Sequence, residues 1–235
     1  MTRVTSFASA ALAQALAFWA VSSASAHVGV ASGPVFAKSN AVVTLSVGHG
    51  CEGADTIQIE ATLPKEVVSV RGAPSFMGDP ELVEDDTGIV RKLIWKKTNV
   101  RPKDDFYYQL TMRIGVPDLP FTTLYFPIKQ TCRTADGMEK TTDWAAIPKA
   151  GEQTGENAPP PAAALIILPP RKAGWNKYTV PRATTDLSIF DDAQIVWVGD
   201  AAYSSNEATA ALIEREDGVT KLTEIKSGAE IWVKY

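Results

Sequence analysis

The residues most suited to chemistry sit where Ala24-Ser25-Ala26 meets His27. Residues 7–21 are an apolar run rich in Ala and Leu behind Arg3, the pattern of a secretory leader, and the three small residues form a cleavage site. The run is short for a membrane span. Cleavage after Ala26 frees the α-amine of His27, and the amine and Nδ1 of one histidine close a six-membered chelate. Two nitrogens held this way suit Cu(II), which takes tetragonal N/O sites and tops the affinity order of first-row divalent ions. The same reading places the processed chain in the periplasm or outside the cell.

A second cluster is Val47-Gly48-His49-Gly50-Cys51-Glu52-Gly53, whose glycines allow tight turns directly after a strand. The bend is expected to carry His49 and Glu52 to one end of the domain. Cys51 and Cys132 are the only cysteines, and an even count in an oxidising compartment reads as a disulfide. No CxxC or methionine cluster accompanies them, which weakens the alternative of a thiolate Cu(I) site.

The elements that must position these groups read as β. Residues 41–47 (AVVTLSV), 56–63 (TIQIEATL), 89–95 (IVRKLIW), 106–114 (FYYQLTMRI) and 122–131 (TTLYFPIKQT) alternate, are rich in β-branched and aromatic residues, and are separated by Gly, Pro and Asp. A last short strand over 142–147 carries Trp144. The fold class expected is all-β: an immunoglobulin-like sandwich over 27–148 after a leader at 1–26. Residues 149–171 (beginning KAGEQTGENAPPPAAA) read as a Pro/Ala-rich linker. A small, mainly β domain follows over 172–235, with strands near 194–198 and 230–234 and a helix over 206–215.

Four stretches in order, AHVGV, HGCEGADT, TTLYFPIKQTC and DWAAIP, resemble the YcnI-like family of exported copper-binding proteins over residues 27–148. The resemblance implies Cu(II) in a single-histidine brace, with His27 giving amine and imidazole, Glu52 a carboxylate oxygen, and Trp144 close by. Trp144 is expected to cover an open side of the ion, because an indole N–H is a poor ligand. His49 is expected as a turn histidine or as a group orienting Glu52. The implied role is copper homeostasis, as a metallochaperone or carrier rather than an enzyme, with copper and other copper-handling envelope proteins as partners. The segment after the linker lies outside the resemblance.

Two other classes compete. An oxidative copper enzyme of the polysaccharide monooxygenase kind pairs an N-terminal histidine with a second one, for which His49 is the candidate. Trp175, Tyr178, Trp197, Tyr203 and Trp232 would then form a carbohydrate-stacking module, although such aromatics more often build a core. CopC-like carriers share the terminal histidine but want a later histidine that this chain lacks. The third class is a non-metal envelope scaffold. Asp55 and Asp143 read as exposed capping or turn residues.

Charge excludes further classes. Asp and Glu number 27 against 23 Lys and Arg, and losing Arg3 with the leader brings the net charge to −5, with no basic patch for nucleic acid. Phosphate loops, dinucleotide fingerprints and a nucleophile–base pair are absent from the sequence. No second apolar stretch reaches the length of a membrane span. An amine with pKa near 8 and an imidazole near 6.5 must both lose protons before copper binds. Cu(II) affinity is therefore expected to fall steeply from about pH 7 to pH 5, and a flat competition titration over that window would exclude the chelate.

Overall fold

The computed structural model describes residues 28–147 and 158–235. The expected leader and cleavage site, His27, Pro148 and residues 149–157 lie outside the described residues.

The first unit is built from β1 (Val28–Val30), β2 (Val35–Phe36), β3 (Asn40–Val47), β4 (Asp55–Thr62), β5 (Val68–Gly72), β6 (Glu81–Glu84), β7 (Val90–Lys96), β8 (Tyr108–Gly115), β9 (Thr122–Phe126), β10 (Ile128–Arg133), β11 (Glu139–Trp144) and β12 (Ala163–Leu168). They form a four-stranded sheet β1-β3-β8-β5, a five-stranded sheet β11-β10-β4-β7-β6, and a three-stranded sheet β2-β12-β9. Alternation explains how they pack. Val43, Leu45 and Val47 of β3 and Leu110, Met112 and Ile114 of β8 point inward, every second residue. They meet Ile59 and Ala61 of β4, Leu93 and Trp95 of β7, and Phe126 and Leu165 of the third sheet in one apolar core. The fold is an all-β sandwich, as read from the sequence.

Two sequence boundaries move. The run over 122–131, read as one strand, splits at Pro127, whose ring removes a ladder donor. β9 before it pairs with β12, and β10 after it pairs with β4, so the chain changes sheets at that corner. The stretch 149–171, read as a linker, contains β12, with Ala163, Leu165 and Ile167 buried in the first core. β12 pairs antiparallel with β9 and parallel with β2, and Ala145 and Ala146 donate to the Pro160 carbonyl. Its Pro- and Ala-rich approach hid a sandwich strand.

The C-terminal unit comprises β13 (Trp175–Thr179), β14 (Ile195–Val198), β15 (Ala201–Tyr203), α1 (Glu207–Ile213), β16 (Thr220–Lys221) and β17 (Glu230–Lys234), with sheet order β13-β17-β14-β15-β16. Asn206 caps α1, accepting from the Thr209 N–H at 3.1 Å. The first unit contributes to this second core: Phe121, before β9, lies 4.9 Å from Phe190 and 5.3 Å from Tyr178, ring centre to ring centre. Arg182 also pairs with Glu66 at 3.0 Å. No helix among the described residues is long and apolar enough to cross a membrane.

Cys51 and Cys132 form the expected disulfide, with Cα atoms 5.8 Å apart and a sequence separation of 81. Replacing both with Ala is expected to lower the unfolding free energy by about 4 kcal/mol, through the loop the bond closes. Guanidinium denaturation of the oxidised and cysteine-free chains measures this, and a difference below about 1 kcal/mol would make the bond a bystander.

Candidate metal site

β3 ends at Val47, and the chain turns through Gly48, His49 and Gly50 into a 3-10 turn at Cys51–Gly53 before β4 begins at Asp55. Gly50 is required here: a Cβ would fall 1.8 Å from the Ala54 carbonyl oxygen and 2.5 Å from Asp104 Oδ2. Glu52 adopts φ 52° and ψ 38°, a left-handed conformation that costs a side-chain-bearing residue energy and is held by its surroundings. Its neighbour Cys51 is tied to Cys132 on β10, and the Cys51 N–H donates to Cys132 Sγ at 2.9 Å.

One buried amide gathers the sequence-predicted residues. Gln130 of β10 is fully buried. Its Nε2 donates to the His49 carbonyl oxygen and to Thr56 Oγ1, both at 3.0 Å, and its Oε1 accepts from Trp144 Nε1 at 3.0 Å. His49 and the buried Trp144 are thus fixed to one point. His49 Nδ1 lies 2.8 Å from the Gly50 carbonyl oxygen. That oxygen can only accept, so Nδ1 carries the proton and Nε2 the lone pair in the neutral ring.

Glu52 is placed differently. Its side chain is 79% exposed, and its carboxylate is paired with Lys140 of β11. The hydrogen bond from Lys140 and its charge hold this carboxyl below the usual glutamate range. Lys140 precedes Trp144 by four strand residues, about 13 Å along β11. The structure therefore brings His49 and Trp144 together but leaves Glu52 on the outer rim.

Asp55, read as an exposed turn residue, is wholly buried, whereas Asp143 is exposed as expected. Lys97 Nζ donates to Asp55 Oδ1 and to the Tyr108 hydroxyl, both at 2.7 Å, Tyr108 donates to Asp55 Oδ1 at 3.1 Å, and the Arg101 N–H donates to Oδ2 at 2.7 Å. Burial first, then the charges of Asp55 and Asp104, push the Tyr108 hydroxyl well above its ordinary value. Thr56, next to Asp55 on β4, donates its hydroxyl to Asp104 Oδ2 at 3.1 Å and accepts from Gln130. Sequence reasoning missed Gln130, Lys97 and Lys140. Only Gln130 carried a signal, since it falls between Ile128 and Cys132 on the inward face of its strand.

Among the described residues no group of three or more His, Cys, Asp or Glu side chains could hold a metal, and Cys51 and Cys132 are oxidised. The described loop offers one carboxylate and one imidazole three positions apart. Oxygen and nitrogen donors of this kind fit Cu(II) better than a soft Cu(I) ion. His27 is bonded to Val28, and Val28 is paired with Val47, two residues before His49.

A family model described as "Domain of unknown function (DUF1775)" matches residues 27–77 and 79–167, more than half of the chain, and its end coincides with β12. An uncharacterized protein from Nocardia farcinica with an immunoglobulin-like fold is 26% identical with a TM-score of 0.50, covering 61% of this chain and 99% of its own. The major pilin subunit of Bacillus cereus is 9% identical with a TM-score of 0.37, covering 88% of this chain and 54% of the pilin. A DUF4466 family protein from Parabacteroides merdae is 7% identical with a TM-score of 0.23, covering 77% and 53%. No curated protein matches.

Breaking a buried ion pair leaves one charge uncompensated. Lys97→Met is expected to destabilise the protein by about 3–5 kcal/mol in chemical denaturation, and Lys140→Met, on the exposed pair, by far less. Equal effects of the two would show that burial does not set the energy of the Asp55 pair.

Proposed function

The chain belongs to the family described as Domain of unknown function (DUF1775), and from that premise we propose that it is an exported Cu(II)-binding carrier or metallochaperone of copper homeostasis. In this reading the amine and imidazole of His27 and the carboxylate of Glu52 hold the ion, and Trp144 limits solvent access. The observation that carries it is the register Val28↔Val47, which pairs the residue after His27 with the end of the strand leading into the His49–Glu52 loop. Glu52 would exchange its pairing with Lys140 for the metal, an exposed contact that costs little to break. The carboxylate is already ionised at neutral pH, as a ligand must be.

One observation favours a second reading. The His49 tautomer puts the lone pair on Nε2, the state in which an imidazole binds metal while its other nitrogen is held by a carbonyl. A second imidazole ligand would move the protein toward oxidative copper chemistry.

The test is electron paramagnetic resonance of the processed chain, beginning at His27, with one equivalent of Cu(II), repeated on Glu52→Ala and His49→Ala. The carrier reading expects mixed nitrogen and oxygen coordination, changed by Glu52→Ala and retained by His49→Ala. Loss of an imidazole signal in His49→Ala would select the second reading. A mature N-terminus other than His27 by mass spectrometry, or the absence of a bound-copper signal, would overturn both.

A further inference from the structure

The C-terminal unit presents a sheet face that its own core does not use. Directly paired residues of antiparallel strands lie on the same face. The registers Lys177↔Trp232↔Trp197 and Trp175↔Lys234↔Ile195 therefore put three of the six tryptophans on one face of β13, β17 and β14. The opposite face carries Tyr178, Val196, Ile231 and Val233, which pack into the second core. Trp175 and Trp232 remain 51% and 48% exposed, and Trp197 is half-buried. Trp175 and Trp232 are diagonal neighbours about 7–8 Å apart, so one extended ligand can touch both.

Charge and composition select the occupant. Lys177 is paired with Glu230 at 2.7 Å, and its ammonium stands 5.8 Å from the Trp232 ring centre. Lys234 adds one further cation. Nucleic acids and anionic bilayers are held by several unpaired cations, which this face lacks. Protein interfaces are also rich in tryptophan but depleted of Lys and Glu at their core, whereas Lys177, Lys234 and Glu230 are interleaved with these indoles. Half-exposed indoles flanked by a paired Lys177 and Glu230 suit a pyranose, whose axial C–H bonds present a slightly positive, apolar face to the negative π face of an aromatic ring. Rings joined β-1,4 extend as a flat ribbon that matches a sheet surface.

We infer that the outer face of the C-terminal sheet binds a β-1,4-linked glycan chain by stacking on Trp175, Trp232 and Trp197, with Lys177 and Glu230 beside them to hydrogen-bond ring hydroxyls. This is independent of the copper reading: neither the indoles nor the flanking pair belongs to the candidate metal site. The platform would hold the protein against polysaccharide while the sandwich does its work.

The test is isothermal titration of the full processed chain with cellohexaose and with N-acetylchitohexaose. Binding to at least one is expected. Trp175→Ala and Trp232→Ala should each weaken it about tenfold, the size of one aromatic stacking contact. Trp232→Tyr should recover most of the loss, and Leu212→Ala on exposed α1 should change nothing. The thermal midpoint and the Cu(II) spectrum should not move in any of these variants. Absence of binding to both hexaoses, or binding indifferent to Trp175 and Trp232, would overturn the inference. Tryptophan-dependent binding to phosphatidylglycerol vesicles or to poly(dT) in place of the sugars would overturn it equally.

Discussion

A primary amide buried at one end of a sandwich must find partners for its donors and its acceptor, or it costs more than it contributes. Gln130 meets that constraint by binding three other segments at once: the His49 carbonyl, Thr56 on β4, and the Trp144 indole on β11. Removing any partner leaves a buried polar group unsatisfied. The turn after β3 is thus fixed in register with the far strand of the five-stranded sheet, although the two are remote in sequence.

The same end carries a second buried polar group with the same logic. Asp55 has lost its water and is compensated by the Lys97 ammonium, the Tyr108 hydroxyl and the Arg101 N–H. Asp55 and Thr56 are neighbours on β4, so the backbone joins the two networks. The disulfide adds covalent closure one residue before Glu52. Between these anchors the loop backbone is held, and the exposed Glu52 side chain projects from it to pair with Lys140.

Legibility followed the physics of each element. β3, β4, β7, β8 and β17 were readable because half-buried strands alternate, and α1 because Asn206 caps an Ala-rich stretch. β1, β2, β6 and β16 are too short for alternation to declare itself, and β5 is interrupted by a register shift. β12 was obscured by the prolines before and after it, and only its partners β9 and β2 reveal it as core. At the site, the disulfide followed from cysteine count, and the placement of His49 and Trp144 followed from the strand order. Asp55 was misread because its partner Lys97 lies 42 residues away, and a carboxylate without its cation in view reads as solvated. The Glu52–Lys140 pair, 88 residues apart, was invisible for the same reason.

The exposed tryptophans bear on the division of labour between the two units. A unit of some sixty residues is short of apolar surface to bury, and this one takes Phe121 from its neighbour into its core. Indoles are the largest apolar groups available, yet Trp175 and Trp232 face outward while smaller Val196, Ile231 and Val233 fill the interior. Turning one tryptophan inward would require a one-residue register shift that carries its whole strand to the other face. The observed register is locked by β17, paired on both sides with β13 and β14. In that register the indoles of Trp175 and Trp232 stay on the face opposite the second core, and the smaller aliphatic side chains close the interior.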